Sequence, residues 1–166
     1  LGMQGRRRCK VYKGRATWDA IALVKTAVSI PVSANGDIID ASTANTALDA
    51  SGADGVMIGR GAQGCPWVLR DVAAQLSGNV APAPPQGRAF IQLVSDHYEA
   101  MLRFYGTKMG GKVARKHLGW YMDQCDPEPI LRKAVLTERD PKKVFKLLPD
   151  ALATPLPKHR AAGQAA

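Results

Sequence analysis

Two short apolar runs, each ending in a glycine turn, constrain the fold more than any other feature of the chain. The first is IPVSANGDI at residues 30–38, and the second is GADGVMIGRGA at residues 52–62. Apolar runs of about four to six residues that stop at such turns are typical of parallel strands covered on both faces. Because α/β proteins bind ligands beyond the carboxyl ends of these strands, the residues that follow each run are candidate site residues.

Helical patterns alternate with these strands. Apolar residues recur at three- and four-residue spacing from Gly14 to Val28, with Thr17 or Asp19 placed to cap the helix, and Gly52 would end the next helix. The predicted order is a strand at 1–5, a helix at 14–28, a strand at 30–34, a helix at 40–50 and a strand at 56–58. Such alternation demands a parallel sheet with right-handed crossovers. We expect an α/β fold, the C-terminal part of a (β/α)₈ TIM barrel, because three strands cannot close one.

The turns after the second and third predicted strands are suited to phosphate. Glycines at positions 36, 59 and 61 let backbone amides approach an anion, and Arg60 supplies a bidentate donor. In barrels of this type the loops after the last two strands commonly form a phosphate site. Either turn alone is better explained as a simple turn, but two such turns on consecutive strands shift the balance towards a phosphate site.

A proline-rich segment separates this region from a helical one. Pro82, Pro84 and Pro85 mark a linker, and helical patterns follow at 89–105, 108–122, 129–136 and 141–152. These patterns predict a small all-α helical bundle. The expected organisation is a partial barrel at 1–76, a linker at 77–87, a helical domain at 88–152 and a disordered tail at 153–166.

The chain is basic, and the excess lies mostly in its second half. The formal net charge is +9, and residues 81–166 carry fourteen Lys or Arg against eight Asp or Glu. In the second predicted helix of the bundle, Lys108, Lys112, Arg115 and Lys116 place most of their charge along one side. Such a side is either a solvated basic face or a nucleic-acid surface.

Cysteine spacing and hydropathy argue against a metal-binding protein and a membrane protein. Cys9, Cys65 and Cys125 have no metal-ligand spacing, so we expect reduced thiols and no metal site. Cys65 falls at the start of a helix and is predicted to be a small buried thiol. No apolar run approaches the roughly 20 residues of a membrane span, and no signal pattern is present, so we expect a cytoplasmic protein without a membrane partner.

Longer motifs resemble one enzyme family. SIPVSANGDI at 29–38, GADGVMIGRGAQGCPW at 52–67 and ARKHLGWY at 114–121 resemble the tRNA-dihydrouridine synthases, and within them the bacterial B-type branch. QGRRR at 4–8 stands where the family carries His-Gly-Arg-Thr-Arg. The resemblance covers roughly residues 1–150 and corresponds to the C-terminal half of such an enzyme, so the chain is expected to be a fragment.

The resemblance implies an FMN enzyme that uses NADPH to reduce the C5–C6 double bond of particular uridines in tRNA. By position, Asn35, Gly36 and Asp37 would lie beside the phosphate end of the flavin. Gly59 and Arg60 would complete the phosphate cradle. The cysteine and lysine that act on uridine and flavin in the family lie on earlier barrel segments, so no catalytic residue is expected in this fragment, and the fragment alone is expected to be inactive.

The same resemblance implies that the basic face binds tRNA. The predicted RNA-binding residues are Arg6, Arg8, Lys112, Arg115, Lys116 and His117. Among the aromatic residues, His117 or Tyr121 could stack on an exposed base, although Trp120 and Tyr121 are expected to pack the bundle. Tyr98, Phe104 and Tyr105 are also expected to be core.

Two points stay open at this level. Gln4 replaces the family's histidine; it can donate a hydrogen bond but cannot carry charge. The alternative function is a non-catalytic RNA-binding or regulatory protein built from a truncated barrel and a basic helical bundle.

Overall fold

The computed structural model describes residues 1–5 and 16–153. These residues form two compact units, one spanning Leu1–Pro82 and the other beginning at Ala83. The division falls inside the segment 77–87 that the prolines predict to be a linker. All of the predicted tail except Ala153 lies outside the described residues.

The first unit contains a three-stranded parallel sheet. Its strands are β1 (Gly2–Gln4), β2 (Ser33–Asn35) and β3 (Gly55–Met57), and β2 lies in the centre. Gln4, Asn35 and Met57 are register partners at the carboxyl ends of the strands. The turns that follow the three strands therefore open along one edge of the sheet.

The helices that connect the strands confirm the predicted alternation. They are α1 (Asp19–Ala27) between β1 and β2, α2 (Ala41–Ser51) between β2 and β3, and α3 (Val68–Leu76) after β3. At α2, Asp40 forms a capping box with Thr43, and Gly52 ends the helix with a φ of 62°. The predicted cap of α1 is wrong: Trp18 occupies the N-cap position without a side-chain cap bond. Its indole is instead engaged by the loop after β2.

Two apolar clusters pack the helices against the sheet. One joins α2, α3 and the loop after β2, and the other joins α1 to β2. Trp18 packs against both clusters, which explains why this position holds a large aromatic rather than a capping residue. Coverage of the strands is one-sided within the described residues: Ala34 is fully buried, whereas Asn35 is half-buried and Met57 is 51% exposed.

The second unit is helical. The long helix α4 (Gly87–Cys125) bends at Gly106, where φ is 74° and ψ is 161°. The bend separates a first arm (residues 87–105) from a second arm (residues 107–125), which confirms the two predicted helices. The arms approach closely, because a Cβ on Gly110 would lie 2.6 Å from the carbonyl oxygen of Met101.

Two shorter helices complete this unit. They are α5 (Pro129–Thr137) and α6 (Pro141–Ala151), and both pack against α4 and against each other. Each starts with proline at its first position, where the missing N–H costs nothing. No helix among the described residues is both long and apolar enough to cross a membrane.

Candidate functional site

The turn after β2 is held in an unusual backbone conformation. Gly36 has a φ of 117° and Asp37 a φ of 54°. A Cβ on Gly36 would lie 2.8 Å from Gln4 Oε1 and 3.0 Å from the Cβ of Ala16. The positive φ favours glycine at position 36, and the Cβ of Ala16 leaves little room for a side chain there.

Two hydrogen bonds fix the same turn from the segment before α1. The backbone N–H of Ala16 donates to Asp37 Oδ2 at 2.6 Å, and the indole N–H of Trp18 donates to the carbonyl of Gly36 at 3.0 Å. Asp37 was predicted at the phosphate end of the flavin. The structure gives its carboxylate a scaffold contact, and its part in cofactor binding stays a prediction.

Asn35 links the carboxyl ends of the three strands. The side-chain amide of Asn35 donates to the backbone carbonyl of Met57 at 3.1 Å. The backbone carbonyl of Asn35 accepts from the N–H of Gly5 at 2.8 Å. Sequence reasoning placed Asn35 beside a phosphate but missed this cross-strand role. The signal that could have shown it is a polar amide at the last residue of a central strand.

The turn after β3 packs directly on the turn after β2. Gly61 is buried, and a Cβ at this position would collide with the carbonyl oxygen of Ile38 and lie 3.1 Å from the Cα of Ile39. Only a residue without a side chain permits this approach. The two strand-end turns that the sequence predicted to form one phosphate site are thus in contact.

Gly59 and Arg60 lie at the exposed edge of this pair of turns. A Cβ on Gly59 would meet no heavy atom within 4 Å, so space is open in front of the backbone. Arg60 is exposed and begins a single 3-10 turn, Arg60–Ala62. An arginine guanidinium next to an unobstructed stretch of backbone can bind an oxyanion through two N–H donors. These residues could hold an oxyanion such as a phosphate, and their assignment to FMN stays a prediction.

The side chain of Gln4 lies against the turn after β2. Its Oε1 atom is the nearest heavy atom to the Cβ position of Gly36. The residue that replaces the family's histidine therefore contacts the predicted phosphate turn.

Cys65 lies beside the turn after β3 and contacts it. Its thiol lies 3.1 Å from the carbonyl oxygen of Gly61. The residue is half-buried and not fully buried as predicted, because it lies in the turn before α3. Among the described residues, no group of three or more His, Cys, Asp and Glu side chains could hold a metal ion.

In the second unit, three lysines form an exposed row. Lys108, Lys112 and Lys116 occur at four-residue spacing on the second arm, and all three are exposed. Arg115 differs, because it is half-buried and its Nε has no hydrogen-bond partner among the described residues. Burial raises the pKa of Tyr98, and the nearby charge of Arg115 opposes that shift. Arg115 thus faces the bundle more than the lysine row does.

His117 belongs to an aromatic cluster between the two arms. Its ring centroid lies 5.0 Å from that of His97 and 5.0 Å from that of Trp120. His97 Nδ1 lies 2.9 Å from the hydroxyl of Tyr121. Burial lowers the pKa of both histidines, and the neighbouring His117 lowers the pKa of His97 further. Tyr121 is buried, which confirms that it packs the bundle.

Tyr98, Phe104 and Tyr105 were predicted to be core residues, and the prediction is correct only for Tyr98. Tyr98 is core, at 3% exposure and 5.0 Å from the ring of Phe145. Phe104 is 81% exposed and Tyr105 is 50% exposed. They end the first arm immediately before Gly106, and the chain turns before another helix can cover them. The predicted RNA-binding residues Arg6 and Arg8 lie outside the described residues.

Comparison with known proteins identifies similar chains. The family model described as "Dihydrouridine synthase (Dus)" matches residues 2–154. The chain is 50% identical over 151 residues to a "Probable tRNA-dihydrouridine synthase" of Rhodobacter capsulatus, covering 91% of this chain and 46% of that protein. It is 46% identical over 123 residues to "tRNA-dihydrouridine synthase B" of Pseudomonas syringae pv. tomato, covering 74% of this chain and 36% of that protein. The chain therefore spans less than half the length of these relatives.

Proposed function

The chain belongs to the dihydrouridine synthase family, and from this premise we propose that it supplies the cofactor-phosphate site and an RNA-binding surface of a tRNA-dihydrouridine synthase. When bound, FMN reduced by NADPH would supply a hydride for the C5–C6 double bond of a uridine in tRNA. The residues of this chain contribute binding and positioning.

The first unit is proposed to be the C-terminal part of a (β/α)₈ barrel. The parallel order, the alternating helices and the one-sided coverage of the sheet support this proposal. In a complete barrel, the half-buried face that carries Asn35 would line the interior.

The contact between Gly61 and the carbonyl of Ile38 carries the proposal for the cofactor site. This contact brings the turn with Gly36 and the turn with Arg60 to one edge of the sheet. Arg60 would bind the phosphate through paired N–H donors, and the open backbone at Gly59 would admit it. Asn35 and Asp37 would hold the two turns in place.

The second unit is proposed to bind tRNA. Its exposed row of Lys108, Lys112 and Lys116 would contact phosphates and release counterions. Reduction of a uridine requires that the base leave its stack, so a separate surface that grips the RNA is of use to the reaction.

The test uses the complete protein that contains this sequence, with FMN, NADPH and an unmodified tRNA transcript. Dihydrouridine is measured by mass spectrometry of nucleosides as a gain of two hydrogens on uridine. The proposal expects product only when NADPH is present. Tight tRNA binding without product, at saturating FMN and NADPH, would instead support the non-catalytic RNA-binding protein.

A further inference from the structure

We propose that the bend of α4 is a stacking platform for unpaired RNA bases, formed by Phe104 and Tyr105 and flanked by Lys108 and Lys112. This inference rests on the proposed function only in taking RNA as the ligand. It adds a defined binding element and a preference for unpaired over duplex RNA.

The first observation is the exposure of large apolar side chains at the bend. Phe104, Tyr105 and Met109 are all at least half exposed, whereas Tyr98, six residues before Phe104 on the same arm, is core. The two exposed rings pack edge to face, with centroids 4.7 Å apart and planes at 81°. The two rings contact each other and leave ring surface in solvent, where a base could stack.

The second observation is the shape of the surface around Tyr105. A shallow groove of about 470 Å³ lies on one side, lined by residues 105–109 and by Lys112. A second groove of about 330 Å³ is lined by residues that include Phe104, Tyr105 and His117. Tyr105 contributes to both grooves.

The third observation is the charge around the bend. No Asp or Glu occurs from Ala100 to Met122, and this stretch carries five Lys or Arg. The nearest acid on the first arm, Glu99, is paired with Arg103 at 3.4 Å. An RNA supplies phosphates for the lysines and base faces for the rings. A second copy of this chain would bring like charges together, so the surface favours RNA over self-association.

Unpaired RNA fits this surface better than duplex RNA. The bases of a duplex are stacked on one another and hide their faces, whereas bases in loops and bulges are free to stack on aromatic side chains. A duplex would contact the lysines alone.

The test compares RNA binding by variants of the complete protein, measured by fluorescence anisotropy over a salt series. One probe is a labelled RNA stem with an unpaired loop, and the other is a blunt duplex of the same length. Phe104→Ala and Tyr105→Ala should each weaken loop binding about fivefold or more and leave duplex binding unchanged. Ile130→Ala is the matched control, because Ile130 is 86% exposed on α5 in the same unit.

The lysines are tested through the salt dependence. Lys108→Gln and Lys112→Gln should each reduce the slope of log affinity against log salt by about 0.7 for the loop RNA. The aromatic variants should leave that slope unchanged. Lys146→Gln, at an exposed position on α6, is the control for loss of charge alone.

Three results would overturn the inference. They are unchanged loop binding in both aromatic variants, equal weakening of loop and duplex binding, and a protein dimer that Phe104→Ala converts to a monomer. Failure of the proposed function looks different: loop binding still depends on the two rings, but the wild-type protein forms no dihydrouridine. If dihydrouridine forms while the rings prove irrelevant to loop binding, only this inference fails.

Discussion

Gly61 and Ile38 are in direct contact across two turns that are more than twenty residues apart in the chain. The backbone of Gly61 lies against the carbonyl of Ile38, where a side chain would not fit. This contact joins the ends of β2 and β3 into one surface, and Arg60 and Gly59 stand at its rim. The candidate phosphate site depends on this approach.

Gly61→Ala should therefore destabilise the first unit and weaken flavin binding together. The added methyl group would collide with backbone atoms, which cannot move aside as the end of a side chain can. We expect a loss of about 1–3 kcal/mol in the free energy of unfolding, measured by urea denaturation. Gly55→Ala is the matched control, because a Cβ there would meet nothing within 4 Å. Equal stability of the two variants would contradict the contact.

The two histidines between the arms of α4 should make the stability of the second unit depend on pH. The pKa values of His97 and His117 are lowered below 6.5 in the folded protein, so the unfolded chain binds more protons just below that pH. Their contribution to stability is present above about pH 6.5 and is lost as the pH falls through their lowered values. Thermal unfolding from pH 8 to pH 5 should show the melting temperature falling in the lower part of this range.

The double variant His97→Gln/His117→Gln supplies the control for this pH dependence. Glutamine at position 97 can still form a hydrogen bond with the Tyr121 hydroxyl but does not titrate. The carboxyls of Asp54 and Glu138, whose pKa values lie below 3.8 and 4.5, titrate outside the window. If the melting temperature of the double variant falls with pH as steeply as that of the wild-type protein, groups other than the two histidines cause the effect.

Asp54 should matter more to stability than its ion-pair partner. Lys25 Nζ lies 2.6 Å from Asp54 Oδ2, and the same oxygen accepts the backbone N–H of Val32 at 2.7 Å. Val32 is buried, so Asp54→Ala leaves its N–H without that acceptor, whereas Lys25→Ala removes only a partly exposed ion pair. The melting temperature should fall more in Asp54→Ala than in Lys25→Ala. The reverse order would contradict this account.

The alternation of helices and strands could be predicted from the sequence because it rests on local patterns. The capping box at Asp40, the stop at Gly52 and the bend between two helical patterns near Gly106 are all set by residues close in the chain. The cap of α1 could not be predicted in this way. Trp18 occupies it because its indole packs against both apolar clusters and donates a hydrogen bond to the carbonyl of Gly36, which is distant in sequence.

The same distinction holds for the candidate sites. The glycine turns were recognisable from their residues, and a polar amide at the end of a central strand is a local indication of the bond from Asn35 to Met57. The contact of Gly61 with Ile38 is tertiary and leaves no local signal. Phe104 and Tyr105 share the helical spacing of core residues. Only the position of the bend leaves them exposed, so periodicity alone assigned them wrongly to the core.

The central claim is that the paired turns bind the phosphate of the cofactor through Arg60. It is tested most directly by measuring the affinities of FMN and of riboflavin, which lacks the phosphate, for the complete protein and its Arg60→Ala variant by flavin fluorescence. The account predicts that Arg60→Ala weakens FMN binding about tenfold or more, leaves riboflavin binding unchanged, and is partly rescued by Arg60→Lys. Arg139→Ala, exposed in the other unit, is the control. Equal effects on FMN and riboflavin, or no effect on FMN, would contradict the account.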